Sequence, residues 1–287
     1  MKKYKAIFFD WDGTAVLSRT EDAKKVVGLI NKHLERNTPI FIISGTNYQV
    51  LENQIFKYIS LNHLNSLYFG TDRGAFCYGF EDGKRIELVN NVPDNKVMAD
   101  IHEVAFKLHR LLFEKYNYNT NIVFTRPNYC KLDLLVEIDR GSHKYISSSE
   151  IDILENIFKE HKIPYSLAEI IDLTKEIAQK DGLELQITSD AKYLEIGPST
   201  KSDNINYFFS SVLKEKNINP AECAVWGDEF VYISEGLKGS DAHMITDITK
   251  DADFFDVSSY ELPRPENVKN IGGGVETFIN FLEEQLS

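Results

Sequence analysis

The sequence predicts an α/β fold, a parallel sheet with helices on both faces, interrupted by an inserted α+β domain. Short unbroken apolar runs alternate with helix-period segments at both ends of the chain, as buried parallel strands and their crossover helices do. Three of those runs end on loops of Asp, Ser and Gly, and the middle of the chain loses the alternation. At 287 residues the chain has room for two modest domains, or for one domain with a large insertion.

Ala6-Ile7-Phe8-Phe9 is the first buried-strand candidate, and Asp10-Trp11-Asp12-Gly13-Thr14 is its loop. Thr20-Glu21-Asp22 opens a helix whose apolar face is Val26, Val27, Leu29, Ile30 and Leu34. Residues 39–43 form the second strand, 46–59 the next helix, and 67–69 a third strand. A turn-rich stretch at 79–83 precedes a helix expected over 94–116 and a half-solvated strand over 131–138. Ser147-Ser148-Ser149-Glu150 resembles a helix start, and that helix runs to about Lys162. Residues 183–187 and 193–196 read as a hairpin around Ser189-Asp190. The insertion is placed at 81–187, leaving 1–80 and 188–287 as the core. Alternation returns at Lys201 with a helix to about Lys216, then a strand at 223–226 that ends on Gly227-Asp228.

A net charge of −12 argues against nucleic acid or an anionic membrane as partner, and 43% hydrophobic residues suffice for a full core. Cys77, Cys130 and Cys223 are widely spaced and odd in number, which suits reduced thiols in a cytoplasmic protein. Met1-Lys2-Lys3 and the apolar residues after it break at Asp10, too early for a secretory leader. No run approaches the about 18 apolar residues of a membrane span.

Asp10 and Asp12 stand two apart where a strand becomes a loop, so they share one small space. Two such carboxylates can supply an ionised nucleophile, a protonated acid and oxygen ligands for a hard cation such as magnesium. Gly13 permits a sharp turn there. Ser44-Gly45 and Gly227-Asp228 are weak signals singly. Together with the Asp10 loop they place three polar loops at the carboxyl ends of strands, each followed by a helix, where an open sheet binds ligands.

The Asp-Trp-Asp-Gly-Thr stretch at 10–14 after an apolar strand resembles the first motif of the haloacid dehalogenase superfamily, most of whose members are phosphohydrolases. The resemblance implies a Rossmann-like core with an α+β cap at 81–187. It makes Asp10 the nucleophile and Asp12 the general acid and base. Ser44 and Gly45 become the phosphate loop, Lys201 the lysine that offsets charge on nucleophile and phosphate, and Asp228 a metal ligand. Magnesium would be held by Asp10, the Asp12 carbonyl and Asp228. Gly272-Gly273-Gly274-Val275-Glu276 before the last helix is similar to the close of large-cap members.

The chain departs from that pattern after Asp228. The family's second carboxylate usually lies a few residues on, where this chain has Phe230, Val231 and Tyr232. Glu229 is the first choice to orient the metal's water, with Glu235 and Asp241 in contention. Thr46 stands where many relatives carry a basic residue. Arg126 and Lys131, with Asn128 and Tyr129, are candidates to meet a leaving group, whereas His102 and His109 read as ordinary surface or packing residues.

The function expected is magnesium-dependent hydrolysis of a small phosphorylated metabolite, a sugar phosphate foremost, through an aspartyl-phosphate. A phosphosugar mutase and a non-catalytic phosphometabolite-binding module are the alternatives.

Overall fold

Ile7 and Phe9 of strand β1 (Ala6–Phe9) are buried in one apolar cluster, and Ala6 and Phe8 in another. A strand covered on both faces cannot alternate polar and apolar residues, which is why its sequence is a continuous apolar run. The computed structural model describes residues 2–138 and 148–287. They form two units, the first made of 2–91, 200–230 and 241–287, the second of 92–138, 148–199 and 231–240.

In the first unit β1 is followed by helix α1 (Lys24–Glu35), β2 (Ile40–Ile43), α2 (Tyr48–Ile55), β3 (Leu67–Thr71) and the hairpin β4 (Phe76–Glu81) and β5 (Lys84–Asn90). The second unit carries α3 (Asn95–Tyr116), β6 (Asn121–Val123), β7 (Cys130–Asp133), α4 (Ser148–Glu160), α5 (Leu167–Lys180), β8 (Gln186–Ser189) and β9 (Tyr193–Gly197). The chain then gives the first unit α6 (Lys201–Tyr207), which continues through a π-helical turn at Phe208–Val212, and β10 (Cys223–Gly227). The short pair β11 (Tyr232–Ser234) and β12 (Leu237–Lys238) belongs to the second unit. Strands β13 (Asp253–Asp256) and β14 (Val268–Asn270) and a C-terminal helix, Gly274–Leu286, complete the first.

The eight-stranded sheet of the first unit runs β14-β13-β10-β1-β2-β3-β4-β5. Its strands from β14 to β3 pair in parallel, and the β4–β5 hairpin extends the edge antiparallel. One face is covered by α1, α2 and the C-terminal helix, through Val27, Ile30, Leu51 and Phe278. The other is covered by α6 and its π-turn, through Ile205, Phe208 and Phe209, with Phe8 and Phe41 stacked at 4.0 Å beneath them. The second unit has an antiparallel sheet, β6-β7-β9-β8. Its Leu132, Leu194 and Ile196 are buried, and α3 packs on β7 and α5. Among the described residues no helix is long and apolar enough to cross a membrane.

The units divide at 91/92 and 199/200, not at the expected 80/81 and 187/188. Glu81 pairs with Lys84 at the tip of a hairpin that belongs to the large sheet, so the first unit reaches Asn91. Both β8 and β9 belong to the smaller sheet, which moves the second boundary past Gly197. The strand expected over 131–138 stops at Asp133, whose carboxylate accepts the Leu135 N–H at 3.0 Å and turns the chain. Helix α5 lay between the expected elements. Its Ser166/Glu169 capping box is a signal the sequence carries. The helix start read at Ser147 falls outside the described residues, and α4 is described from Ser148.

Gln54 of α2 ties the loop after β1 to the sheet. Its Oε1 accepts the buried Trp11 indole N–H at 2.8 Å, and its amide donates to the carbonyls of Glu21 (2.8 Å) and Ser18 (3.2 Å). Gln54→Leu leaves the indole donor and both carbonyls without that partner. Urea denaturation is expected to show a loss of about 1–3 kcal/mol, the cost of an unmet buried polar group.

Candidate functional site

All the polar loops at the carboxyl end of the large sheet belong to the first unit. Asp10 follows the last residue of β1, and its N–H donates to the Trp226 carbonyl of β10 at 3.0 Å, which carries the parallel pairing one step further. Its buried carboxylate accepts from Lys201 Nζ at 2.6 Å through Oδ1. Lys201 opens α6. There Thr200 and Asp203 form a capping box, and Asn204 anchors the helix by donating to the Phe76 carbonyl at 2.8 Å. The same ammonium reaches Asp241 Oδ1 at 2.7 Å.

Asp228 stands at the end of β10, where Thr14 donates to its Oδ1 at 3.0 Å. Gly13 has φ +95°, and a Cβ there would fall 2.2 Å from Asp228 Oδ2, so the Asp10 loop reaches Asp228 only because residue 13 is glycine. Gly227 does the same for Asp241, with a Cβ that would fall 2.4 Å from Asp241 Oδ2. Asp241 is buried in the seat thus left open, and its Oδ2 accepts the N–H groups of Asp228 (3.0 Å) and Glu229 (2.9 Å).

Carboxylate oxygens of Asp10, Asp228 and Asp241 lie within 4.8 Å of one another. The carboxylate that joins the other two in this cluster is Asp241, one of the three contenders. Glu229 is half-buried, and its charge still bears on Asp228. Glu235 lies exposed in the turn between β11 and β12, in the second unit. Asp241 is 13 residues beyond Asp228 because residues 231–240 leave the first unit and return. The turn residues Glu235-Gly236 and Gly239-Ser240 were the available sign of that excursion.

Burial pushes the Asp10 carboxyl above its ordinary pKa; Lys201 pulls it back, and Asp241 and Asp12 push it further up. Asp228 is raised by burial, then by Asp241, Glu229 and Asp10. Burial alone would lower Lys201, but Asp10 and Asp241 overturn that and hold it above the usual lysine value. This surplus of buried carboxylate oxygen fits a hard divalent cation such as magnesium.

Asp12 lies nearby with one oxygen, Oδ2, bonded by Arg19 Nη2 at 3.0 Å and Thr46 Oγ1 at 3.1 Å. Ser44 and Gly45 follow β2, and Ser44 Oγ accepts the Thr46 N–H at 3.1 Å. The structure thus brings Asp10, Asp12, Ser44, Gly45, Lys201 and Asp228 to one end of one sheet. Arg126 and Lys131 are in the second unit instead. Lys131 is paired with Glu195 at 2.8 Å, and the Arg126 guanidinium lies 5.9 Å from the Tyr129 ring. His109 bonds Thr120 at 2.7 Å and His102 packs edge-on against Phe124, both in the second unit. Arg19 and Asp241 are the residues sequence reading undervalued.

A cation bound by these carboxylates stabilises the folded chain by mass action. Magnesium is therefore expected to raise the thermal midpoint of the wild type. Asp228→Asn and Asp241→Asn should abolish most of that rise, Glu229→Gln should shift the titration to higher magnesium, and Glu235→Gln should leave it unchanged. A full magnesium response in Asp241→Asn would remove that residue from the site.

No family profile matches the sequence, and a search of curated proteins finds no match. Solved structures do match. The IMP-nucleotidase of Plasmodium falciparum is similar at 12% identity, over 99% of this chain and 68% of that one, with TM-score 0.60. The trehalose-6-phosphate phosphatase of Aspergillus fumigatus is similar at 13% identity, over 99% and 93%, with TM-score 0.58. A protein from Eubacterium rectale matches at 12% identity, over 98% of each chain, with TM-score 0.54. The neighbours are phosphatases of the haloacid dehalogenase superfamily, and the fold of this chain is theirs.

Proposed function

We propose that this chain is a magnesium-dependent phosphomonoesterase of the haloacid dehalogenase superfamily, working on a small phosphorylated metabolite through an aspartyl-phosphate on Asp10. The observation that carries the reading is the buried Asp10 carboxylate. It is held by Lys201 through one oxygen and lies within 4.8 Å of two further carboxylates, at the ligand-binding end of a phosphatase-like sheet. Two of the similar structures are named for IMP and for trehalose 6-phosphate, both small phosphomonoesters.

Lys201 fixes Asp10 through Oδ1, which leaves Oδ2 to attack phosphorus in line. As the bond from phosphorus to the leaving oxygen breaks, Asp12 gives that oxygen its proton. Asp12 then takes a proton from water, which attacks the aspartyl-phosphate, releases inorganic phosphate and restores Asp10. Ser44 and the Gly45 backbone hold the phosphoryl oxygens, and the Lys201 ammonium offsets their charge. Asp10, Asp228 and the Asp12 carbonyl, with Asp241 beside them, would hold magnesium, which when bound spreads the negative charge of the phosphoryl group.

Recognition of the leaving group is assigned to the second unit, as a cap. Across its sheet Thr188, Glu195 and Lys131 form a polar row: Thr188 donates to Glu195 at 3.3 Å, and the Lys131 ammonium lies 4.8 Å from the Tyr193 ring centre. A charged pair beside aromatic faces suits a hydroxyl-bearing ring, which favours a sugar phosphate. The thiols of Cys77, Cys130 and Cys223 are buried and in no disulfide; Cys223 donates to the Asn219 carbonyl, Cys130 to the Val123 carbonyl, and Cys77 accepts from Asn204.

Inorganic phosphate release across a panel of phosphorylated metabolites, with and without magnesium, tests the reading. Asp10→Asn should fall to background while remaining folded. Isomerised sugar phosphate in place of free phosphate would identify a mutase, and near wild-type turnover by Asp10→Asn would refute the covalent route. Lys131→Met should change preference among metabolites while sparing a small aryl phosphate; equal losses on every substrate would contradict the assignment to the second unit.

A further inference from the structure

We infer that Arg19 and Thr46 are positioning residues that clamp one oxygen of Asp12 and so aim the other at the reacting oxygen. The inference rests on the reading of Asp12 as acid and base. The terminal torsion of an aspartate is broad, so a lone Asp12 would present either oxygen in a range of directions. Here both donors fall on one atom: Arg19 Nη2 at 3.0 Å and Thr46 Oγ1 at 3.1 Å, each to Oδ2. The other oxygen, Oδ1, is buried with no hydrogen-bond partner among the described residues. A buried orphan acceptor in a folded protein calls for a reason, and proton exchange with a bound substrate is one that this position supplies.

The two donors come from separate segments, each anchored independently. Thr46 is held at its main chain, its N–H on Ser44 Oγ at 3.1 Å and its carbonyl accepting the Asp72 N–H at 3.3 Å. These bonds fix the backbone from which its hydroxyl donates to Asp12. Arg19 sits between Ser18 and Glu21, whose carbonyls accept the Gln54 amide. The segment that carries the guanidinium is thus tied to α2 through the same side chain that holds Trp11. The Arg19 and Asp12 side chains are 28% and 18% exposed, and an ion pair so near solvent contributes little to stability. Two anchored donors converging on one oxygen define an orientation instead.

The clamp has a signature that a purely structural role lacks. A nitrophenyl phosphate loses a phenolate that needs no proton, whereas a simple alkyl phosphate needs the acid. With magnesium present, kcat/KM is measured on both substrates for the wild type, Thr46→Val, Thr46→Ser, Arg19→Met and Asp12→Asn, with thermal midpoints recorded. Thr46→Val and Arg19→Met are expected to lose about 10–100-fold on the alkyl phosphate and only a few-fold on the nitrophenyl ester. Thr46→Ser, which keeps the hydroxyl, should retain both activities, and Asp12→Asn should show the same selectivity more strongly. Equal losses on the two substrates, or none, would overturn the clamp while leaving the phosphatase reading intact. A wild type inactive on every phosphomonoester would overturn that reading, and the clamp with it.

Discussion

The structure of the site depends on one buried ammonium. Lys201 spans Asp10 and Asp241, which arrive from the two ends of the chain, at 2.6 and 2.7 Å. Each of these carboxylates would be costly to bury alone, and both lie beside Asp228 in a space that repels further negative charge. The helix that presents Lys201 is capped at its start and pinned to β4 by Asn204, so the cation is delivered by secondary structure and not by a mobile loop. Removing the lysine would leave two uncompensated buried carboxylates, whereas losing one aspartate leaves the ammonium its other partner.

From that constraint the rest of the carboxyl end of the sheet follows. Gly13 and Gly227 lack side chains where Asp228 and Asp241 need room, and the backbone of residues 228 and 229 turns its N–H groups onto Asp241. The chain crosses between its two units next to these residues: Lys201 is two residues past the crossing at 199/200, and Asp241 directly follows the one at 240/241. Asp12 is served differently: Arg19 and Thr46 both donate to its Oδ2. Asp10 is thus set deep in ion pairs, whereas Asp12 keeps one oxygen with no hydrogen-bond partner among the described residues, which suits the nucleophile and proton-carrier roles proposed for them.

How far the sequence foretold this depends on whether the deciding signal was local. The strands β1, β2 and β10 were legible because burial on both faces writes an unbroken apolar run, and the loops behind them because Asp, Ser and Gly end those runs together. The β4–β5 hairpin was read only as a turn, since β4 mixes Gly and Cys among aromatics and β5 alternates charges at the exposed edge of the sheet. Asp241 was one of three contenders because its link to Asp228 is made in space, across a ten-residue excursion into the other unit. Arg19 gave no sequence signal, being a single exposed-looking cation whose meaning depends on Gln54 holding its neighbours in place.

The central claim is that Asp10 itself carries the phosphoryl group during turnover. Acid quench in the steady state with a phosphorylated substrate, followed by mass mapping of the segment 6–14, measures this directly. The account requires a phosphoryl group on Asp10 that appears with substrate and disappears once the substrate is exhausted. Phosphate release with no covalent phosphoryl on the chain, or a phosphoryl group on any other residue, would contradict it.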